Sequence, residues 1–153
     1  MSTSSSEAFR IANCSGFYGD RLSAAKEMVE GGPIDALTGD WLAELTMLIL
    51  ARHKMQDASR GYARSFIRQM EQVMGTCLDR GIKVVSNAGG LNPASCAMAV
   101  QEVAEKLGRK PRIAYIEGDD LMPYLGDLRS KGHAFDNLDT KVSEWIKKAQ
   151  MPV

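Results

Sequence analysis

The residues in this chain best suited to chemistry are carboxylates and amides that follow short apolar runs. Asn13-Cys14-Ser15-Gly16-Phe17-Tyr18-Gly19-Asp20 follows one run and Gly39-Asp40-Trp41 a second. Asn87-Ala88-Gly89-Gly90-Leu91-Asn92-Pro93 follows a third, and Glu117-Gly118-Asp119-Asp120 a fourth. Carboxylates in such positions can accept a sugar hydroxyl, hold a divalent metal or move a proton. They repel phosphate, so the uncharged, Gly-rich loop 87–93 is the one most hospitable to an anion. Asp20, Asp40 and Asp119 are the candidate catalytic set. Asn13, Gly16, Glu44, Asn87, Gly89, Gly90 and Asn92 are the candidate ligand-binding set. A purely structural reading stands beside this one. A tight turn needs Gly for unusual backbone angles, and Asp or Asn caps the helix that follows.

Other residues carry weaker signals. Cys14 ends an apolar run beside a helix start, where a thiolate is favoured, yet no His follows nearby. The alternative is a small buried residue. Cys77 and Cys96 fall on helix stripes and read as core. The three cysteines show no metal-ligand spacing, and the sequence leaves open whether Asp119 and Asp120 hold a metal. Glu44 is either a partner for the helix dipole or a site acid. Arg60, Arg64 and Arg68 recur every four residues as a basic face, solvated or contacting an acidic partner. Neither the first nor the third loop matches a dinucleotide or phosphate-loop fingerprint, so NAD binding would rest on fold analogy alone.

The elements that must position these loops are legible in outline. Residues 9–13, 34–38, 82–86 and 112–116 have the length of buried strands. They do not alternate between polar and apolar, which suits parallel strands covered on both faces. Helices are expected over 20–30, 41–57, 62–79 and 93–107. Their apolar stripes are Leu22, Ala25, Met28 and Val29 in the first and Leu42, Leu45, Leu48, Ile49 and Arg52 in the second. Phe66, Met70, Val73, Met74 and Cys77 form the third. Gly81 is a C-cap, and Asn92-Pro93 reads as N-cap and first helical residue. Helices 41–57 and 62–79 are expected to pair antiparallel, and a last helix to cover 140–149. The fold class is therefore α/β, Rossmann-like and three-layered. It has a parallel sheet of about four strands in the order β-α-β-αα-β-α-β and a helical C-terminal tail. Ligands of such sheets bind beyond the carboxyl ends of the strands, near a switch in strand order.

Bulk composition narrows the function classes. Lys plus Arg number 19, as do Asp plus Glu, so the formal charge is zero. That argues against nucleic acid, which needs a clustered basic excess. Aromatics are sparse at 7%, leaving no stacking platform for bases. No apolar run reaches the roughly 18 residues of a membrane span. The Ser-rich start has no signal-peptide pattern, and a reducing cytoplasm is the expected setting. Residues 1–8 read as a disordered tail and 9–153 as a single domain.

Taken in order, Asn13–Asp20, Leu37–Glu44, Asn87–Pro93, Gly118–Leu121 and Phe135-Asp136-Asn137-Leu138-Asp139-Thr140 resemble the acyclic terpene utilisation (AtuA-type) family. The resemblance spans roughly residues 9–140. It implies the breakdown of acyclic terpenes or branched acids as CoA thioesters, with no defined reaction. Family members are usually longer, so the chain, which resembles the first part of their N-terminal domain, is expected to be either a fragment or a natural short form, completed in both cases by another chain or a second copy. Three functions fit: an acyl-CoA-linked enzyme or enzyme component performing hydration or isomerisation; a non-catalytic assembly module for an acyl-CoA carboxylase system; and a nucleotide-dependent enzyme. A CoA thioester is the expected small-molecule ligand; the cofactor is otherwise open.

Overall fold

The computed structural model describes residues 8–136. The chain falls into two compact units, Met1–Ile116 and Glu117–Val153. The first unit holds a parallel sheet of three strands: β1 (Ile11–Asn13), β2 (Ala36–Gly39) and β3 (Lys83–Ser86). Helix α1 (Ala24–Glu30) joins β1 to β2. Helices α2 (Glu44–Gln56) and α3 (Arg64–Arg80) lie between β2 and β3, and α4 (Pro93–Lys106) follows β3. The second unit contributes a 3₁₀ turn, Met122–Tyr124, and α5, Leu125–Ser130. The helix expected over 140–149 lies outside the described residues. No helix among the described residues is long and apolar enough to cross a membrane.

The local signals explain the elements. Asn92 caps α4 by accepting a hydrogen bond from the Ser95 N–H at 3.2 Å, with Pro93 in the first helical position. Gly81 closes α3 in the left-handed region, with φ 70°. The expected stripe of α3 is buried in full: Phe66, Met70, Val73, Met74 and Cys77. It packs α3 between α1 and α4.

Two expectations are corrected. First, residues 112–116 join no strand, and Arg112–Ile116 is exposed. Their composition suits a strand, but a strand also has to bond to a sheet edge, and here the outer edges of β1 and β3 take no further strand. Ile113 and Tyr115 instead lie against Ala94, Ala97, Met98 and Gln101 of α4, forming a shallow groove of about 270 Å³. Second, α2 does not pair with α3. It turns Thr46 and Leu50 inward, while Leu45, Leu48 and Arg52 of its expected stripe are exposed.

The layering also differs from a Rossmann-like one. The strands run in the order β1-β2-β3, and α1, α3 and α4 pack side by side. Successive right-handed crossovers moving in one direction place their helices on one face. Register confirms the asymmetry. Ala12, Leu37 and Val84 align across the sheet and join the core beneath the helices. Ile11 and Val85 belong to the opposite face and are 66% and 65% exposed. Among the described residues of the first unit there is no switch in strand order and no third layer.

Leu37→Ala, at a position with no exposure, is expected to cost about 2–5 kcal/mol in urea unfolding. Val85→Thr, on the uncovered face, is expected to change stability by less than about 0.5 kcal/mol. Equal costs for the two would contradict the one-sided layering.

Candidate functional site

The carboxyl ends of the three strands are joined by hydrogen bonds between their loops. The backbone of β1 continues into the first: Cys14 N–H donates to Thr38 C=O at 2.8 Å, and Asp40 N–H donates to Ser15 C=O at 2.9 Å. The second and third loops meet through Asn87. Its side-chain oxygen accepts from the Trp41 backbone N–H at 2.9 Å. Its side-chain NH₂ donates to Asp40 Oδ1 at 2.6 Å. The same Asp40 oxygen accepts from Leu42 N–H at 3.0 Å. One amide side chain thus fixes both the carboxylate and the backbone beside it.

This arrangement depends on where the Trp41 ring goes. Trp41 is buried, edge-on to Phe66, with centroids 5.2 Å apart and planes at 70°. A Cβ on Gly39 would sit 2.5 Å from the ring atoms Cη2 and Cζ3. Gly39 is therefore needed for space, so that the indole can fold back over the end of β2. Sequence reasoning took Gly39 as a turn residue and gave Trp41 no role. The signal available was a large aromatic two residues after a glycine at a strand end.

Asp20 is held differently. Its Oδ2 accepts from Gly16 N–H at 2.9 Å and its Oδ1 from Arg21 N–H at 2.7 Å. Both oxygens tie the first loop to itself. The Gly16 bond, then the Arg21 bond, lowers the Asp20 pKa below the ordinary carboxylate value. Asp40 is also lowered, chiefly by the Asn87 hydrogen bond and then by Leu42. Hydrogen bonds to the charged form favour it, so both carboxylates are anions at neutral pH.

The remaining candidates divide clearly. Gly90 has φ 53°, and a Cβ there would meet Leu50 Cδ1 at 2.5 Å and Gly61 O at 2.8 Å. Its N–H donates to Asn87 C=O at 3.1 Å, closing a turn. Gly89 lies against the Pro93 ring. Besides capping α4, Asn92 donates to Ala58 C=O and Arg60 C=O at 2.9 and 2.8 Å, fastening the α2–α3 connection to the third loop. Asn13 is exposed at the end of β1, paired in register with Thr38. Glu44 is exposed in the first turn of α2. Asp119 belongs to the second unit and is exposed; Asp120 there accepts from Met122 N–H at 3.0 Å. No cluster of three or more His, Cys, Asp or Glu able to hold a metal occurs among the described residues.

Cys14 follows the structural reading. It is buried, and its thiol lies 3.9 Å from the Gln69 side-chain oxygen. Burial pushes its pKa up to about 11. Burial likewise raises Cys77, and raises Cys96 to about 12. All three thiols are protonated at neutral pH, the opposite of an activated nucleophile.

Comparison with known proteins gives one match. The model of the acyclic terpene utilisation family protein AtuA matches residues 9–152. No curated protein and no solved structure is similar enough to count as a match.

The lowered carboxylates give a pH prediction. A group whose folded pKa is depressed stabilises the fold above its unfolded value, about 3.9 for Asp, and loses that contribution as pH falls through the folded pKa. Acid unfolding should therefore steepen below about pH 4. Asp20→Asn and Asp40→Asn should each flatten that dependence while leaving its shape above pH 5 unchanged. Urea midpoints measured from pH 7 to pH 2.5 decide this, and a wild-type slope retained in both variants would refute it.

Proposed function

The chain belongs to the acyclic terpene utilisation (AtuA) family, and on that premise we propose that it binds an acyl-CoA thioester at its strand-end loops. It would act as an enzyme or enzyme component in the breakdown of acyclic terpene or branched acyl chains. The observation that supports this most is the Asp40–Asn87 pair. Asp40 is an exposed carboxylate at a strand end, ionised at neutral pH and oriented by an amide from the neighbouring loop. Hydration or isomerisation of an unsaturated acyl chain needs such an acceptor for a hydroxyl or for a proton in transit. A resting acid needs a raised pKa, and neither Asp20 nor Asp40 has one. Asp40 is therefore the acceptor, and Asp20 orders the first loop. Asn13, Gly89 and Gly90 are the groups assigned to the ligand.

A second reading is favoured by the uncovered sheet face. Parallel sheets are normally buried on both sides, so this face suits a non-catalytic module assembled against another protein, such as a subunit of an acyl-CoA carboxylase. Anionic Asp20 and Asp40 repel phosphate, so in the acyl-CoA reading the acyl end of the thioester, and not the phosphates of CoA or of another nucleotide, faces them.

Thermal unfolding against free CoA, geranoyl-CoA, a branched acyl-CoA, NAD(H), ATP and Mg²⁺ separates these readings. A ligand at about 100 times its Kd adds roughly 2.7 kcal/mol, a shift of about 5–10 °C for this size. The proposal expects a shift with acyl-CoA, reduced in Asp40→Asn and Asn87→Ala. No shift with any acyl-CoA would overturn it, and capture of a carboxylase subunit without ligand binding would favour the assembly module.

A further inference from the structure

The groove beside α4 is concave and uncharged. Its volume is about 270 Å³, and it is lined by Ala94, Ala97, Met98, Gln101, Ile113 and Tyr115. Positions 94, 97, 98 and 101 recur at helical spacing, so they share one face of α4. Ala94 and Ala97 end at Cβ, which leaves the space that the longer Met98, Ile113 and Tyr115 bound. The only polar side-chain groups on its surface are the Gln101 amide and the Tyr115 hydroxyl. Such a lining binds hydrocarbon and offers nothing to a charged group.

The position of the groove says which hydrocarbon. Helix α4 begins at Pro93, directly after the third loop, so Ala94 lies in its first turn. Gly89 packs on Pro93: a Cβ on Gly89 would meet the Pro93 Cβ at 2.9 Å. Gly89 is in turn close in sequence to Asn87, whose amide holds Asp40. The groove therefore starts at the strand-end loops and leads away from them along α4. Its far end is Gln101, whose amide donates to Glu105 Oε1 at 3.2 Å. At about 1.5 Å per residue, the run from Ala94 to Gln101 is roughly 10 Å long. Bonds of roughly 1.5 Å meeting at about 111° give an extended chain of about eight or nine carbons the same length. The volume lies just under the roughly 300 Å³ at which drug-sized pockets begin, so the groove holds one short chain.

We propose that this groove is the acyl-chain subsite, taking chains of up to about ten carbons. The inference rests on the acyl-CoA reading of the strand-end loops. With the thioester beside Asp40 and Asn87, the first carbons cross Gly89 and Pro93, and the rest lie along Ala94 and Ala97 under Ile113 and Tyr115. Carbons past Gln101 return to solvent.

Isothermal titration of the 153-residue chain with acetyl-, butanoyl-, octanoyl- and dodecanoyl-CoA tests this. Full burial of a methylene tightens binding about fourfold, and a groove open on one side should give about twofold. Affinity should therefore rise about twofold per methylene up to about ten carbons, then level off. Met98→Asp and Ala97→Trp should flatten the series, bringing octanoyl-CoA down to the affinity of acetyl-CoA, which itself stays unchanged. Met98 is already 60% exposed, so Met98→Asp should keep the wild-type Tm. Acyl-CoA binding that is indifferent to chain length, or a rise that both variants leave intact, overturns the groove while the strand-end reading stands. If none of the four thioesters binds, both fall.

Discussion

The strand-end region depends on one amide side chain. Asn87 accepts from the backbone of Trp41 and donates to the carboxylate of Asp40, so it joins the exit of β3 to the exit of β2. The bond has this geometry only because the Trp41 indole is drawn inward against Phe66, over a glycine with no side chain to obstruct it. Packing and electrostatics are coupled here. The buried ring fixes the backbone, the backbone presents its N–H to the amide, and the amide orients the carboxylate and lowers its pKa. A change in any one of Gly39, Trp41 or Asn87 acts on the other two and on Asp40.

A second constraint is the sidedness of the sheet. With strands in sequence order and helices on one face, the core lies between Leu37 and the stripe of α3. The opposite face, bearing Ile11 and Val85, has no cover among the described residues of the first unit. A Rossmann-like site forms where strand order reverses and two loops diverge. In this sheet, which lacks that reversal, the strand-end loops bond to one another, and the Asn87 bridge joins two of them.

Much of this was legible in the sequence. Three strand positions, four helices, the Asn92 cap and the buried stripe of α3 follow from local pattern, because each is decided by neighbours within a few residues. The failures share a cause. Residues 112–116 have strand composition, but pairing is decided by an edge elsewhere in the chain. Helix α2 reads Glu-Leu-Thr-Met-Leu-Ile-Leu-Ala, apolar nearly all round, so periodicity fixes its inward face poorly, and Leu45, Leu48 and Arg52 of the expected stripe are exposed while Leu42 and Ile49 are half-buried. The aspartates were legible as strand-end residues. Their hydrogen bonds were not, because Asp40's main partner is 47 residues away. Family membership was legible because it rests on several ordered motifs rather than on any one contact.

The strand ends are held by the Asn87 bridge, and amide hydrogen exchange measures it directly. The Trp41 N–H lies in a loop yet donates to a side chain, so it should exchange slowly, with protection approaching that of β2 amides. In Asn87→Ala that protection should vanish while the amides of α3 keep theirs. If the Trp41 N–H already exchanges at loop rates in the native chain, the bridge does not hold the strand ends, and the positioning of Asp40 built on it is wrong.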